Sequence, residues 1–215
     1  MRPVASDFDS EVFGLRVGWT SQEDFDPEGF DLVFLSGPWP ARLHPRATLV
    51  DVRLDMVHRG LSDVPGPSKM VAPAAGGGDL AFAMNLASDA FASDSRYFAD
   101  PRLRPRAPEV YRRWVLGAYK RGDLHVISGV GLLCVSRVPT AGPTTRIDLV
   151  AVAPDARRLG AGARLVQAFL SLPGEGERRV RVGAGNVAAT NFYHACGFEV
   201  AAAESVQHVW CGGLT

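Results

Sequence analysis

The chain has 215 residues, and its 23 lysines and arginines balance 23 aspartates and glutamates. This balance leaves no overall field that would draw the chain to a nucleic acid polymer or an anionic membrane, so any anion site has to be local. No apolar run approaches the roughly 20 residues that span a bilayer, and three cysteines without a CxxC pair indicate neither a disulfide framework nor a metal site. Because the N-terminus also lacks the apolar stretch of a signal peptide, we expect a cytoplasmic protein.

Three apolar or alternating stretches come first, at residues 13–20, 31–36 and 49–57, and turn-forming sequences separate them. We predict that they are strands of a small N-terminal α/β subdomain over residues 1–59. Residues 60–78 are rich in Pro and Gly and end in three glycines, which predicts a linker or loop.

Two helices are predicted next, at the start of a domain that extends over residues 79–215. Apolar residues with the spacing of one helical face run from Asp79 to Phe91, and a second such run extends from Pro108 to Gly122, which suits a C-terminal cap. The remaining elements are predicted as a hairpin at 124–127 and 130–138, a strand at 146–152, a helix at 157–172, a strand at 178–182, a helix at 188–196, and strands at 198–202 and 206–210.

A pair of glycines stands where a predicted strand passes into a predicted helix. The sequence VAPDARRLGAGARLV contains Arg157, Gly160 and Gly162 in the pattern RxxGxG. Free N–H groups at a helix N-terminus form a concave anion site, and glycine lets the backbone approach phosphate oxygens closely. Such glycines also occur at tight turns that bind nothing, so the pattern indicates a diphosphate site only together with other signals.

A second motif, NVAATNFYHACGFEV, begins at Asn186 after the next predicted strand. In this order the two passages resemble the acetyl-CoA-binding motifs of the GNAT superfamily of N-acetyltransferases, and the resemblance covers residues 79–210. It implies an α/β fold with a central mixed, mostly antiparallel sheet flanked by helices, and acetyl-CoA as the cofactor. The reaction needs no covalent intermediate, because an amine attacks the thioester directly.

The resemblance also assigns individual roles. The N–H group of Val150 is expected to point at the thioester carbonyl, and Val152 is expected to pair with the pantetheine arm like an added strand. Asn186 resembles the residue that contacts the cofactor arm, and Tyr193 the tyrosine that protonates the departing thiolate, although an aromatic core residue would fit the same position. The full set expected to bind the cofactor is Val150, Ala151, Val152, Arg157, Arg158, Leu159, Gly160, Ala161, Gly162, Ala163, Asn186 and Tyr193.

The general base is left open by the sequence. Some GNAT enzymes have a carboxylate four residues before the position of Val150, where this chain has Arg146. Asp148 shares strand parity with Val150 and is the second candidate catalytic residue beside the tyrosine, but it would equally well pair with Arg146. His125 and His208 are further candidates, although a lone histidine in a strand is more often structural.

The stretch between the first two helices of the domain points to the acceptor. From Arg96 to Gly122 it contains eight Lys or Arg residues and two acids, a composition that fits either a solvated helix face or a site for a phosphorylated substrate. The passages SRYFADPRL and YRRW, together with SEVFGLRVG near the N-terminus, are similar to bacterial dTDP-fucosamine N-acetyltransferases. That resemblance implies a dTDP-linked deoxyamino sugar as the acceptor, bound by Ser95, Arg96, Tyr97, Phe98 and Asp100.

Two alternatives stand beside this interpretation. One is a GNAT enzyme for another small amine, such as an antibiotic sugar, a polyamine or an aminoglycoside. The other is an acyl-CoA-binding module without catalytic activity. The N-terminal sheet and the last strand both offer edges for pairing, so a homodimer is also open.

Overall fold

The computed structural model describes residues 1–60, 66, 69–92, 95–139, 143–174 and 176–212. Within these residues the strands form one sheet, and the helices pack against it. The strands are β1 (Val4–Ala5), β2 (Val17–Thr20), β3 (Leu32–Pro38), β4 (Ala47–His58), β5 (Ala72–Pro73), β6 (Leu124–Ile127), β7 (Gly131–Pro139), β8 (Pro143–Val152), β9 (Glu177–Gly183) and β10 (Phe198–Trp210). The helices are α1 (Asp7–Phe13), α2 (Gly76–Ala90), α3 (Arg96–Ala99), α4 (Ala107–Arg121), α5 (Ala161–Leu170) and α6 (Val187–Ala195).

The order of the strands in the sheet is β1-β2-β3-β10-β4-β9-β8-β7-β6-β5. Strands β2 and β3 are parallel, as are β8 and β9, and the other neighbours are antiparallel. The expected mixed, mostly antiparallel sheet flanked by helices is therefore confirmed. Strand β4, from the N-terminal part of the chain, lies between β9 and β10. The expected N-terminal unit thus shares one sheet with the C-terminal part, and the boundary between residues 59 and 79 stays a prediction.

The two faces of the sheet carry separate cores. In β7, Leu132 and Cys134 pack with the apolar residues of α1, α2 and α4, whereas Leu133 and Val135 pack with those of α5 and α6. This is the alternation expected of a strand covered on both faces. We call the two faces the α4 face and the α5 face. Both cores consist of buried aliphatic and aromatic side chains, which supply most of the favourable free energy of folding.

A β-bulge interrupts this alternation in β8. Cys134 lies opposite Leu149 and Val135 lies opposite Ile147, so Asp148 is an extra residue with no partner in β7. Because of this insertion, Ile147 belongs to the core of the α5 face and Leu149 to that of the α4 face. Bulges turn a strand and redirect side chains, and this one lies where a catalytic candidate was predicted.

Strands β8 and β9 separate beyond the bulge. Among the described residues their pairing runs from Thr144 opposite Glu177 to Ile147 opposite Val180 and then stops. The end of β8 after Ile147 therefore keeps β7 on one side and has an edge without a strand partner on the other. This opening between two parallel strands is the main irregularity of the sheet.

The structure corrects the prediction of a strand over residues 13–20. Residues 7–13 form helix α1, and the strand starts only at Val17. The Ser6 side chain accepts a hydrogen bond from the Asp9 N–H group (3.3 Å), and Gly14 ends the helix with a φ of +67°. Both are ordinary capping signals, which the apolar alternation of the following residues obscured.

The expected linker at residues 60–78 is also corrected in part; its residues 61–65 and 67–68 lie outside the described part of the chain. Ala72 and Pro73 form a short strand against β6, and the three glycines form the first turn of α2. Asp79 supports this helix start, because its Oδ2 accepts a hydrogen bond from the Ala75 N–H group (3.0 Å).

Further elements also differ from the predictions. Helix α5 begins at Ala161 and not at residue 157, because the preceding residues form a loop. Residues 198–210 form one long strand, in which a bulge near Ala201 replaces the predicted break. Helix α3 has only four residues and was not predicted. Among the described residues, no helix combines the length and the apolar character that crossing a bilayer requires.

Candidate active site

A cavity of about 1210 Å³ lies at the opening between β8 and β9. On one side, which we call the β8 half, it is lined by Val150, Ala151, Val152, Arg157, Asn186 and Tyr193. On the other side, the β4 half, it is lined by Asp9, Trp19, Asp51, Arg53, Ser95, Arg96, Tyr97 and Arg181. Asp148 belongs to the same lining. One continuous space therefore joins most of the residues that the sequence assigned to two different ligands.

The open edge of β8 presents backbone groups to the cavity. The N–H group of Ala153 donates to the carbonyl oxygen of Val130 beside β7 (2.8 Å). Because N–H directions alternate along a strand, the N–H groups of Val150 and Val152 point away from β7, toward the opening. The carbonyl oxygen of Val152 points the same way and accepts a hydrogen bond from Arg157 Nε (3.1 Å). This edge can pair with an extended ligand, as predicted for these two valines.

The loop before α5 leaves a series of N–H groups without acceptors. Arg158 (φ +66°) and Gly160 (φ +82°) both have left-handed backbone conformations, which turn the chain sharply into the helix. The first N–H group bonded within α5 is that of Arg164, which donates to the Gly160 carbonyl (3.1 Å). Among the described residues, the N–H groups from 158 to 163 have no recorded hydrogen bond. Together with the positive end of the helix dipole, these N–H groups suit the binding of an anion.

The two glycines of this loop have different roles. A Cβ atom at Gly162 would lie 3.3 Å from the Phe192 ring, so this glycine allows α5 and α6 to pack closely. A Cβ atom at Gly160 would meet no atom within 4 Å, so only its backbone conformation requires glycine. Residues 158–163 are not part of the cavity lining itself. They follow directly after Arg157, which lines the cavity.

Helix α6 places Asn186 and Tyr193 in the β8 half. Asn186 is the N-terminal cap of the helix, and its Oδ1 accepts a hydrogen bond from the Ala189 N–H group (2.8 Å). The ring of Tyr193 packs against Phe192 and Phe198 and is only 7% exposed. Burial raises the pKa of Tyr193, so the phenol keeps its proton at neutral pH. Among the described residues its hydroxyl has no recorded hydrogen-bond partner, which leaves it available to a ligand in the cavity.

Asp148 is held by two donors. Its Oδ1 accepts hydrogen bonds from Ser136 Oγ (2.9 Å) and from Arg146 Nε (3.0 Å). The sequence left open whether Asp148 pairs with Arg146, and the structure shows this ion pair. Asp148 and Val150 both line the cavity. Because Asp148 is the inserted residue of the bulge, the regular alternation of side chains along a strand does not apply to it. Two other candidate bases, His125 and His208, do not line the cavity.

The β4 half contains a polar network around Tyr97, which is buried. Arg96 Nη2 donates to the Tyr97 hydroxyl, which in turn lies 3.4 Å from Asp9 Oδ1. Asp9 Oδ2 also accepts hydrogen bonds from Ser6 Oγ (2.7 Å) and Trp19 Nε1 (3.0 Å). Burial raises the pKa of Tyr97. The network fixes the Arg96 side chain against the cavity wall.

The other three residues expected to bind the acceptor have different surroundings. Ser95 lines the cavity, caps α3 and accepts a hydrogen bond from the Tyr111 hydroxyl. Phe98 stacks on Tyr111 outside the lining. Asp100 is buried away from the cavity, with Oδ2 at 2.7 Å from His208 Nδ1 and 3.2 Å from Trp210 Nε1. A direct contact between Asp100 and the acceptor is not supported by this position.

Sequence reasoning missed much of the β4 half. Arg53 and Asp51 lie on β4 and Arg181 on β9, in stretches that carry no motif. Only the register brings them together: Arg53 pairs with Gly183 on one side and with Glu204 on the other. The alternation of charged and apolar residues in β9 shows that one side of this strand is polar. It does not show which residues lie opposite that side.

The lining is strongly basic for a neutral chain. Three arginines have glutamate partners behind the lining: Arg113 pairs with two, and Arg53 and Arg181 share a third. The charged residues of the lining are Arg53, Arg96, Arg113, Arg121, Arg137, Arg146, Arg157, Arg181, Asp9, Asp51, Asp123 and Asp148. Arg121 and Arg137 pair with Asp123, and Arg146 pairs with Asp148. Among the described residues, the lining arginines without a carboxylate partner are therefore Arg96 and Arg157, and this excess of positive charge attracts anionic ligands.

Comparison with known proteins identifies the family. A profile of the acetyltransferase (GNAT) family matches residues 83–198, which is more than half of the chain. No curated protein gave a match.

Solved structures show the same fold at low sequence identity. A GNAT-family protein from Novosphingobium aromaticivorans is 21% identical with a TM-score of 0.59, over 85% of this chain and 75% of that chain. A GCN5-related N-acetyltransferase from Sphaerobacter thermophilus is 18% identical with a TM-score of 0.57, over 86% of this chain and 62% of that chain. A glucosamine N-acetyltransferase region of a fungal multi-domain GH3 β-N-acetylglucosaminidase is 15% identical with a TM-score of 0.51, over 84% of this chain and 26% of that chain.

The chain belongs to the GNAT acetyltransferase family and is an acetyl-CoA-dependent N-acetyltransferase. The β8 half and the adjoining loop of residues 158–163 fit acetyl-CoA, because the strand offers an unpaired edge for an extended amide-containing arm and the loop offers N–H groups without acceptors for a diphosphate. When bound there, acetyl-CoA supplies the activated acetyl group.

Proposed function

We propose that the enzyme transfers the acetyl group of acetyl-CoA to the amine of a dTDP-linked deoxyamino sugar by direct attack. The observation that carries this proposal is the continuity of the cavity, which joins the β8 half to a half rich in arginine and aromatic side chains. The acceptor amine would then meet the acetyl group near Val150, and the nucleotide would extend into the β4 half.

The β4 half has the chemistry that a nucleotide-linked substrate needs. Arginine binds phosphate with several hydrogen bonds at once, and aromatic side chains such as Trp19 and Trp114 stack on bases. The fungal structural neighbour is a glucosamine N-acetyltransferase, so an amino sugar suits the fold in that protein. Polyamines and aminoglycosides fit this cavity poorly, because the arginines of its lining repel polycations.

Two protons have to move during the reaction. The attacking amine loses one, and the departing thiolate gains one. We assign the second transfer to Tyr193, because its phenol carries a proton at neutral pH and lies in the cavity lining without a hydrogen-bond partner among the described residues. Because Asp148 is already bonded to Arg146 and Ser136, we assign the removal of the amine proton to water. The role of Asp148 is then to offset the positive charge of Arg146 in the cavity wall.

The proposal is tested by comparing acceptors. Thiol release from acetyl-CoA is followed with a dTDP-linked amino sugar and with the same amino sugar without the nucleotide, both below saturation. We expect kcat/KM to be at least about 100-fold higher for the dTDP-linked form, the size expected when two charge-assisted hydrogen bonds are lost. Equal values for the two forms would overturn the proposed acceptor, while the acetyltransferase assignment would stand.

A further inference from the structure

Three arginines from distant parts of the chain converge in the β4 half. Arg53 Nη2 lies 3.4 Å from Glu204 Oε1, and Arg181 Nη1 lies 3.7 Å from Glu204 Oε2, so both guanidinium groups share one carboxylate. The third, Arg96, is held over the rings of Tyr97 (4.1 Å) and Trp19 (5.5 Å). Among the described residues, no carboxylate lies within ion-pair distance of Arg96.

The positive charges of this group are only partly compensated. Burial and the neighbouring Arg96 guanidinium lower the pKa of Arg53 to about 10, which reflects mutual repulsion in a poorly solvated place. Asp51 lines the same wall, whereas Asp9 is already bonded to Ser6 and Trp19. Two carboxylates, Glu204 and Asp51, thus lie beside three guanidinium groups, and an anion in the cavity would balance the remaining positive charge.

The hydrogen-bonding capacity of the arginines is also unfilled. Arg53 Nε and Arg96 Nε are buried and have no partner among the described residues. Buried donors without acceptors are costly and rare in folded proteins, so each one requires an explanation. An anion with several oxygen atoms would bond more than one guanidinium group at once; to reach it, the two buried Nε groups would have to turn toward the cavity.

We propose that Arg53, Arg96 and Arg181 form the binding site for the diphosphate of the acceptor. This inference rests on the proposed function and deepens it, because it adds strands β4 and β9 to the stretch around Arg96 that sequence resemblance indicated. It also gives the N-terminal part of the chain a role: β4 carries Arg53 and thereby completes the acceptor site.

The test measures the binding of dTDP by calorimetry in the presence of saturating CoA, which fills the diphosphate site of the β8 half. The variants are Arg53→Met, which keeps an unbranched apolar stem but no guanidinium group, and Arg181→Ala, at a position that is 40% exposed and therefore safe for folding. We expect each to bind dTDP about 10- to 100-fold more weakly, the effect of losing a charge-assisted hydrogen bond. Arg59→Ala is the matched control, because this arginine follows β4 but is 68% exposed and lies outside the lining.

Arg53→Lys separates charge from geometry, since lysine keeps the charge but cannot bond two oxygens in a plane; it should recover only part of the affinity. Unchanged dTDP affinity in folded Arg181→Ala and Arg53→Met would overturn the site. Faster turnover of dTDP-linked than of free amino sugars, with the same preference in both variants, would keep the proposed function and reject this site. Loss of dTDP binding in the variants, without acetylation of any dTDP-linked amine by the wild type, would keep the site and reject the proposed function.

Discussion

The two halves of the cavity are built from the chain in different ways. The β8 half comes from one continuous region, residues 150–193, in which strand, loop and helix follow each other directly. The β4 half collects single residues from α1, β2, β4, α3 and β9. Its parts meet only because the sheet order places β4 beside β9 and because the Asp9 and Tyr97 side chains connect α1 with α3.

This difference separates backbone recognition from side-chain recognition. In the β8 half the groups that face a ligand are mostly N–H groups, which depend on the conformation of the loop and on the open strand edge. In the β4 half they are arginine, tryptophan and tyrosine side chains. If the two ligands bind as proposed, substitutions should affect the two halves independently, since the halves have no residue in common.

The largest effect is expected for Tyr193→Phe. The substitution keeps the ring and its packing against Phe198 but removes the proton donor. Loss of one general acid typically lowers the rate by about 100- to 10,000-fold, so kcat should fall by this factor while the dissociation constant of acetyl-CoA stays unchanged. Tyr119→Phe, on α4 and outside the lining, is the control. Full activity in Tyr193→Phe, with chemistry shown to limit the rate, would exclude the assignment.

The next effect concerns the loop before α5. Gly160→Glu places a side chain on a residue with a φ of +82° and adds a negative charge beside the predicted diphosphate site. We expect acetyl-CoA to bind at least about 100-fold more weakly, while dTDP binding in the β4 half is retained. Gly60→Glu is the matched control, because a Cβ there also meets no atom and the residue lies outside the lining. Normal acetyl-CoA affinity in folded Gly160→Glu would place the cofactor elsewhere.

Asp148 lies between the two halves, and its substitution distinguishes a base from a structural ion pair. Because its Oδ1 already accepts from Arg146 and Ser136, we expect Asp148→Asn to lower kcat by less than about 10-fold and to leave the acidic limb of the pH profile in place. A drop of two orders of magnitude, together with loss of that limb, would instead identify Asp148 as the general base.

The smallest expected effect is a change of thermal stability with pH, and it concerns the buried His208. Burial lowers the pKa of His208 below its usual value of 6.5. As the pH falls, the unfolded chain therefore binds this proton at a higher pH than the folded protein does. The contribution of neutral His208 to the free energy of unfolding is present in full above about pH 6.5 and decreases below it. Between pH 7.5 and 5.5 we expect Tm to fall by roughly 2–4 °C, the change that about 1 kcal/mol produces in a chain of this size.

The slope of Tm against pH is the quantity to compare. His208→Gln should flatten this slope even if the variant is less stable at every pH, because its side chain does not titrate. Burial also lowers the pKa of His44, His58 and His125, so part of the dependence should persist. An identical slope in His208→Gln and the wild type would show that this histidine does not contribute.

The β8 half was largely predictable because its signals are local. The RxxGxG pattern and the Asn186 to Tyr193 spacing lie within single strand-to-helix connections, where a turn needs glycine and a helix needs a cap. The start of α5 was still misplaced, because residues 157–160 have helical spacing in the sequence but form a loop.

The β4 half was not predictable to the same degree because it depends on register. Nothing near Arg53 or Arg181 shows that the two strands are neighbours, and a shift of one residue would turn both side chains to the α5 face. The bulge at Asp148 is a second example: Asp148 lines the cavity with Val150 as strand parity indicated, but the inserted residue in this strand is not visible in the pattern. Helix α1 was missed for a different reason: its caps at Ser6 and Gly14 are local signals, but the apolar alternation that follows them favoured a strand.

We propose that one cavity binds the acetyl donor along β8 and α5 and the nucleotide of the acceptor against β4 and β9. A crystal structure of the enzyme with CoA and dTDP bound together tests it most directly. We expect the CoA diphosphate at the N–H groups of residues 158–163 and the dTDP diphosphate within hydrogen-bonding distance of Arg53 and Arg181. A dTDP molecule bound outside the β4 half, with CoA in place, would contradict this account.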